Sequence, residues 1–340
     1  MEKHVTFGEI MLRLSPNNYT KFVQSNKFNA IYGGGEANVS VSLANYGLNS
    51  YYVTKLPKHE IGQAAINELR RFGVNTDFII RGGDRIGIYF CEKGASQRPS
   101  KVIYDRSHSS IADAKREDFN WDDIFKGAKW FHLTGITPAL SQNCVEITMD
   151  ALRIAKEAGV TISIDLNYRK KLWDTKKAGR IMSEIVEYCD VLIANEEDAE
   201  MVFEIKAENT DVKEGNLSSE GYKNVARQLY DKFNLKYVAI TLRESHSASD
   251  NGWSGMLFNG TKFYKSRKYD IRIIDRVGGG DSFCGGLIYG LSTGMDNQST
   301  LEFAVAASCL KHTIEGDFNL ISAEEAINLM KGDVSGRVQR

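Results

Sequence analysis

The chain has 340 residues, which is room for one large α/β domain with a smaller appendage and too long for a small disulfide-stapled scaffold. Its 43 basic and 44 acidic residues leave a formal net charge of -1, so it lacks the basic excess that binding to a nucleic-acid backbone requires. With 42% hydrophobic and 26% charged residues, it has ample apolar material for a core, which excludes a disordered chain.

The cysteines and the apolar runs indicate in which cellular compartment the protein is expected. The five cysteines are far apart and form no Cys-x-x-Cys pair, which favours reduced core thiols over a metal or redox site. Acidic Glu9 interrupts any N-terminal apolar stretch long enough for a signal peptide, and the apolar run 303–310 is far shorter than the roughly 18 residues of a membrane span. We therefore expect a cytoplasmic protein with no membrane partner.

In the N-terminal third, strand patterns occur without long helices between them. The predicted elements are strands over 22–32, 85–92 and 101–106 and helices over 36–46 and 60–72. Strands contributed by about 12–33 and 84–108 are expected to form a separate small sheet that covers the ends of the main strands as a lid.

From residue 130 onward, short β-branched runs alternate with helical spacing. The predicted strands are 130–133, 160–165, 191–194 and 237–242, and the helices are one that follows the N-cap Ser141 and ends at Gly159, then 178–188, 196–203 and 222–233. This alternation predicts an α/β fold with a doubly wound, mainly parallel sheet flanked by helices. We expect a single domain over 1–331, with a surface insertion at 206–220 and a C-terminal tail at 332–340.

The strongest local signal is a run of three glycines, Asp275-Arg-Val-Gly278-Gly279-Gly280-Asp281, that leads into an apolar helix. Glycines let successive backbone N–H groups approach an anion, and the helix start adds its positive dipole end, so the run predicts a phosphate site. The carboxylate of Asp281 could accept the proton of an attacking hydroxyl there. A glycine turn with an acidic N-cap is the alternative for this run taken alone.

Three more runs stand at a helix start or a strand end. They are Gly33-Gly34-Gly35-Glu-Ala-Asn38, Asp165-Leu-Asn167-Tyr-Arg169 and Asn195-Glu-Glu-Asp198. Glycines in the first let a ligand approach the backbone, and the other two follow apolar strands, where open parallel sheets bind ligands. The carboxylates and the amide of the last run could organise Mg²⁺ waters around a nucleotide. An acidic helix start is the alternative for the last run.

Two tyrosines and an arginine lie on the predicted lid strands. Tyr104 and Arg106 are two residues apart and therefore share a face, and Tyr89 lies on another strand. An arginine makes bidentate contact with a carboxylate and tyrosines add directional hydrogen bonds, so the three suit a polyhydroxylated acid. Packing between strands is the alternative for the tyrosines.

Several common motifs are absent from the sequence. It has no Gly-x-x-x-x-Gly-Lys-Ser/Thr and no HRD or DFG pair, which excludes P-loop NTPases and protein kinases. Neither glycine cluster completes Gly-x-Gly-x-x-Gly, because Asn38 and Phe283 stand where the last glycine would fall. The six histidines show no metal-ligand spacing, which disfavours a metal held by imidazoles.

Taken together, the two glycine clusters, their order and their separation resemble the ribokinase-like (PfkB) carbohydrate kinases over nearly the whole chain. Within that family, Tyr89, Tyr104-x-Arg106, Asp165-Leu-Asn-Tyr-Arg169-Lys-Lys-Leu-Trp and Thr313-Ile-x-Gly-Asp317-Phe-Asn are similar to the 2-keto-3-deoxygluconate kinase branch. The resemblance implies that ATP, with Mg²⁺, phosphorylates the terminal hydroxyl of this sugar acid to give the 6-phosphate.

The resemblance also implies a role for each motif residue. Asp281 would be the base, and the amides of Gly278, Gly279 and Gly280 would stabilise the moving phosphoryl group. The substrate side would comprise Gly34, Asn38, Tyr89, Tyr104, Arg106, Arg169, Asp281 and Asp317. The nucleotide side would comprise Asn167, Asn195, Thr241, Gly278 and Gly280. Mg²⁺ would bind mainly through ATP, with Asp198 reaching it through water.

Two positions depart from the family pattern. Asp198 stands where the family has Glu, and Thr241-Leu-Arg243 replaces a glycine with an arginine that could instead meet phosphate. Three other functions stay open: a ribokinase-like kinase of fructokinase or ribokinase type, a non-catalytic sugar-acid sensor, and an NAD-dependent dehydrogenase. An apolar outer face of the lid would pair with a second copy, so a homo-oligomer is expected.

Overall fold

A computed structural model of the chain describes residues 2–206 and 219–332. Its strands are β1 (Lys3–Phe7), β2 (Met11–Ser15), β3 (Asn29–Gly33), β4 (Asn49–Leu56), β5 (Ile79–Arg81), β6 (Gly87–Glu92), β7 (Lys101–Asp105), β8 (Ala128–Thr134), β9 (Thr161–Asp165), β10 (Val191–Ala194), β11 (Tyr237–Ser245), β12 (Asp250–Phe258), β13 (Phe263–Lys265) and β14 (Tyr269–Arg272). Its helices are α1 (Gly35–Asn45), α2 (Glu60–Arg71), α3 (Trp121–Phe125), α4 (Ile136–Ala139), α5 (Gln142–Glu157), α6 (Thr175–Val186), α7 (Glu196–Phe203), α8 (Ser219–Phe233), α9 (Gly279–Thr293), α10 (Asn297–Lys311) and α11 (Ala323–Met330).

The main sheet has 10 strands, in the order β13-β12-β11-β10-β9-β8-β1-β4-β5, and β14 pairs with β12. The strands from β11 to β5 along this order are parallel, and β12, β13 and β14 are antiparallel to their neighbours. Strand β1 lies between β4 and β8, so the chain builds the sheet outward from β1 in both directions. This confirms the doubly wound sheet, and the switch beside β1 is where such sheets bind ligands.

Helices cover both faces of the main sheet because its strands are apolar on both sides. In β10, Leu192 packs into the core on the side of α5, α6 and α8, whereas Val191 and Ile193 pack against α9 and α10. The predicted N-cap of α5 is confirmed, since the Ser141 hydroxyl accepts a hydrogen bond from the backbone N–H of Cys144 at 3.1 Å. The main sheet is therefore held rigid beneath the loops that leave its strand ends.

The predicted lid is confirmed as a separate 4-stranded sheet in the order β3-β2-β6-β7. Alternation along β2 turns Met11 and Arg13 inward and leaves Leu12 and Leu14 on the outer face, where they are half-buried. Met11 packs with β6 and with Val277 of the glycine run, so the lid lies against the loop before α9.

Parts of the sequence prediction are wrong or untested. The strand expected over 22–32 begins only at Asn29, because residues 22–24 form a 3₁₀ turn whose Phe22 N–H donates to the Glu92 carboxylate at 2.9 Å. Six strands of the main sheet were missed in the sequence prediction, namely β1, β4, β5, β12, β13 and β14. The predicted insertion over 206–220 and the tail over 332–340 lie largely outside the described residues, and residues 219 and 220 begin α8.

Within the described ranges, no helix combines the length and the apolar character needed to cross a bilayer.

Candidate active site

A cavity of about 450 Å³ lies between the lid and the carboxyl ends of the main strands. With the exception of Gly279, all the site residues predicted from the sequence line it. They are Gly34, Asn38, Tyr89, Tyr104, Arg106, Asn167, Arg169, Asn195, Asp198, Thr241, Gly278, Gly280, Asp281 and Asp317. Residues from distant parts of the sequence therefore meet in one cavity, and Gly279 packs beneath it on the ring of His312.

The glycine loop, residues 275–280, forms one end of this cavity. Gly278 caps α9 with φ of +84°, a left-handed conformation that favours glycine. A Cβ at this position would lie 2.0 Å from the backbone oxygen of Asp317, so no side chain fits there. The first N–H groups of α9 lack acceptors within the helix, and together with the helix dipole they favour an anion.

Asp281 lies in the first turn of α9, at the edge of the glycine loop. Its Oδ2 accepts a hydrogen bond from the Asn38 side-chain amide at 2.6 Å, and the Asn38 amide oxygen accepts one from the Gly34 backbone N–H at 3.2 Å. Burial raises the pKa of Asp281 to about 6, against the lowering effect of Asn38. A carboxylate with this pKa suits a general base near neutral pH.

On the lid side, two buried ion pairs hold the predicted substrate groups. Asp317 is paired with Arg13 at 2.7 Å and accepts a hydrogen bond from the Tyr89 hydroxyl. Arg106 is only 9% exposed, and its Nε donates to Glu9 at 2.8 Å. Tyr89 lies directly opposite its β7 neighbour Tyr104, with ring centroids 5.9 Å apart, so cross-strand packing and cavity lining both hold for the tyrosines.

The carboxyl ends of the main strands supply one wall of the cavity, which we call the acidic wall and which contains Asp165 and Asp198. Asp165 ends β9 beside Asp198 and Asp281, and burial together with these two carboxylates raises its pKa well above the usual range. Asn195 caps α7 by accepting the Asp198 backbone N–H at 2.8 Å, and the Asp198 carboxylate accepts the Tyr168 N–H at 3.1 Å. This wall places carboxyl groups next to Asp281 and the glycine loop.

Sequence reasoning missed several residues of the site. Arg276 lines the cavity, as does Arg243, whose guanidinium lies 5.4 Å from the ring centroid of Trp253. Asp165 was noticed at its strand end but given no role. Arg13 could have been found as the lone charge in the apolar strand Met-Leu-Arg-Leu-Ser, although nothing in the sequence names its partners.

The chain is similar to known proteins over nearly its whole length. The protein-family model described as "pfkB family carbohydrate kinase" matches residues 1–322 of this chain. A solved structure of 2-dehydro-3-deoxygluconokinase from Thermotoga maritima superposes with a TM-score of 0.95 at 55% identity, covering 98% of this chain and 100% of that one.

Two curated relatives match this chain over nearly their whole length. The 2-dehydro-3-deoxygalactonokinase of Haloferax volcanii is 31% identical over 334 residues, which cover 98% of each chain. The 2-dehydro-3-deoxygluconokinase of Bacillus subtilis is 26% identical over 342 residues, covering 97% of this chain and 98% of the relative. With the expected fold and cavity in place, the chain belongs to the pfkB family of carbohydrate kinases.

Proposed function

We propose that the protein transfers the γ-phosphoryl group of ATP to the terminal hydroxyl of 2-keto-3-deoxygluconate (2-dehydro-3-deoxygluconate), giving the 6-phosphate. The observation that carries this proposal is the position of Asp281, a half-buried carboxylate between the glycine loop and the tyrosine and arginine side chains of the lid. The names of the Thermotoga maritima and Bacillus subtilis relatives support the same substrate.

In the proposed reaction, the substrate hydroxyl gives its proton to the Asp281 carboxylate as its oxygen forms a bond to the γ-phosphorus. The bond between that phosphorus and the bridging oxygen breaks, and ADP leaves with the electron pair. Asn38 orients the carboxylate through its 2.6 Å hydrogen bond. Phosphoryl transfer depends mainly on positioning and on opposing the developing charge, which is the role we give to the amides at the start of α9.

The acidic wall fits a divalent cation brought in with ATP. Asp165 and Asp198 offer carboxylate oxygens, the ligands that Mg²⁺ prefers, and their mutual repulsion is the kind that a cation relieves. We propose that Asp198 reaches Mg²⁺ through water and that Asp165 assists. When bound, the ion would neutralise phosphate charge. Use of ATP also supports a cytoplasmic location, because the cytoplasm is where ATP is abundant.

Arg169 and Arg106 differ in whether another side chain already neutralises the positive charge that could bind a substrate carboxylate. Glu9 already neutralises Arg106. Arg169 is exposed, its Nη1 donates to the backbone oxygen of Tyr168 at 3.4 Å, and no carboxylate of the described chain lies within 4.0 Å of it. We therefore propose that Arg169 supplies the net positive charge that recognises the acid.

The variant Arg169→Gln is expected to lower kcat/KM for 2-keto-3-deoxygluconate by about tenfold to a hundredfold, because a charge-assisted hydrogen bond contributes about 1.5–3 kcal/mol. Steady-state kinetics with MgATP measures this loss. Lys177→Gln removes the same charge from an exposed position on α6 and should leave the constants unchanged. Equal kinetics for Arg169→Gln and the wild type would contradict the assignment.

The substrate proposal is tested by incubating the protein with MgATP and a panel of acceptors while following ADP. The panel contains 2-keto-3-deoxygluconate, its C4 epimer, fructose and ribose. The epimer is included because the Haloferax volcanii relative is a 2-dehydro-3-deoxygalactonokinase. A far higher kcat/KM for fructose or ribose would reject the sugar acid, and binding of the acid without ADP formation would favour a sensor.

We also propose that two copies pair through their lids. The outer face of the lid carries Leu12, Leu14, Ile88, Phe90 and Ile103, of which Ile103 is 54% exposed. Strands β3 and β7 are edges of this sheet, and an apolar sheet with open edges is covered by a second copy in many proteins.

We expect the mass of a homodimer in sedimentation equilibrium, and we expect Ile103→Lys to shift it toward the monomer. Lys101→Glu, at another exposed position of β7, changes charge without removing apolar surface and serves as the control. A monomer mass at all concentrations would contradict the pairing.

A further inference from the structure

Lys311 is a buried cation to which the proposed reaction gives no role. It is the last residue of α10 and is 0% exposed. Its ammonium donates to the backbone oxygen of Ile314 at 3.2 Å, and in the parts of the chain that the structure describes no carboxylate lies within 4.0 Å of it. A buried lysine with one carbonyl partner is unusual, because an ammonium loses several kcal/mol of hydration when it leaves water.

The position of this side chain relates it to the glycine loop. The Cε of Lys311 lies 3.2 Å from where a Cβ on Gly278 would be, so the lysine packs directly behind the loop. The next residue, His312, packs behind Gly279, and its backbone oxygen accepts the Ile274 N–H at 2.8 Å. The end of α10 therefore holds the back of the loop, while the cavity lies on the loop's other side.

The buried charged groups behind the glycine loop compensate one another before any ligand binds. Arg13 bridges Asp275 and Asp317 at 2.7 Å each, which leaves one excess negative charge. Lys311 balances it: two cations, Arg13 and Lys311, face two carboxylates. Burial lowers the pKa of Lys311, and Asp275 and Asp317 oppose this shift. Without the lysine, phosphate would meet a net negative charge behind the loop.

We propose that Lys311 is a positioning residue whose fixed positive charge, behind the glycine loop, opposes the negative charge that gathers on the loop's cavity side during phosphoryl transfer. The inference rests on the proposed function. Charges separated only by a thin layer of backbone in a water-poor interior interact more strongly than they would in water. The loop amides touch the phosphoryl group, and the lysine acts through them.

The same charge also acts on the base. Asp281 is faced by Asn38 from α1, Asp165 from β9, Arg169 from the loop after β9, Asp317 from the segment after α10, and Cys284 from its own helix. The positive charges of Arg169 and of Lys311, at the end of α10, favour the ionised carboxylate, as does the hydrogen bond from Asn38. Removing Lys311 should therefore make Asp281 harder to ionise.

The test compares Lys311→Met and Lys311→Gln with the wild type. Both remove the charge, but glutamine keeps a donor for the Ile314 oxygen. Both are expected to lower kcat about tenfold to a hundredfold, with KM values for ATP and sugar acid changed less than about threefold. The acid limb of the kcat/KM profile should move to higher pH. Relief from burying the ammonium and loss of its attraction to Asp275 and Asp317 change the Tm in opposite directions, so only a small change in the Tm is expected. Lys55→Met, which removes a lysine paired with Asp118 away from the cavity, should keep full activity.

Three results would overturn the proposal. They are an unchanged kcat in both variants, recovery of activity by glutamine, which would assign the role to the hydrogen bond, and a parallel loss of Tm and activity in both variants. If Lys311→Met does not fold, Lys311→Gln alone decides between charge and hydrogen bond.

Failure of the proposed function is recognised separately. It appears as a wild-type protein that forms no ADP with the sugar acid. Calorimetric titration with inorganic phosphate then tests the lysine without turnover. The expected result is an affinity at least several-fold weaker in Lys311→Gln than in the wild type or Lys55→Met, and equal affinities would overturn the inference.

Discussion

Replacing Asp281 with Asn is expected to lower kcat by about 10²- to 10⁴-fold, which is the usual contribution of a positioned general base. Asparagine matches the shape of aspartate and can still accept the hydrogen bond from Asn38, which spans 2.6 Å, so the change removes the proton acceptor and little else. Turnover is measured as ADP formation with saturating MgATP and sugar acid. Asp123→Asn, at an exposed position of α3, is the matched control and should be fully active. Near-normal turnover of the Asp281 variant would reject the role of base.

The pH dependence gives a second measurement of the same residue. Asp281 must be ionised to accept a proton, so kcat/KM of the wild type should fall as the pH drops through about 6. The contribution of Asp281 to folding stability changes with pH in the opposite direction. Because burial raises the pKa above the ordinary carboxyl value near 4, the folded state binds this proton more tightly, and the resulting stability is lost as the pH rises from about 4 to about 6. At pH 7 the Asn variant should therefore have a Tm no lower than that of the wild type.

The second large effect is expected for Gly278→Ala, with kcat reduced by about 10²- to 10³-fold, the range seen when a backbone donor is lost from a transition-state site. The methyl group would need space 2.0 Å from the Asp317 backbone oxygen, and the residue has φ of +84°. Either the loop or the segment after α10 must move, and the first amides of α9 then no longer face the phosphoryl group. Steady-state kinetics measures the loss of turnover, and thermal unfolding measures the loss of stability caused by the strain.

Gly294→Ala separates loop displacement from backbone strain. Gly294 caps the other end of α9 with φ of +79°, and a Cβ there would meet nothing within 4 Å. It should lose about 1–2 kcal/mol of stability and no activity, because it shares only the left-handed strain. If Gly278→Ala behaved in the same way, the glycine loop would have no part in phosphoryl transfer.

Local sequence patterns were sufficient for the elements whose signals lie within a few residues. Ser141 begins α5 as its N-cap, and the run of three glycines begins α9, because caps and glycine turns depend on neighbouring atoms. The turn at residues 22–24 was missed for the opposite reason. It depends on Phe22 donating to Glu92, a hydrogen bond between residues 70 positions apart, and no local pattern carries that information.

For the function, the sequence alone determined the family and the polar residues that line the cavity, since glycines before helices and polar residues after apolar strands are local features of a parallel sheet. Only the tertiary structure decided which of these charges are free. Glu9 neutralises Arg106 across 97 positions, Arg13 joins Asp317 across 304, and Lys311 lies behind a loop more than 30 residues earlier. Charge compensation depends on distance in space and on burial, and a linear sequence specifies neither.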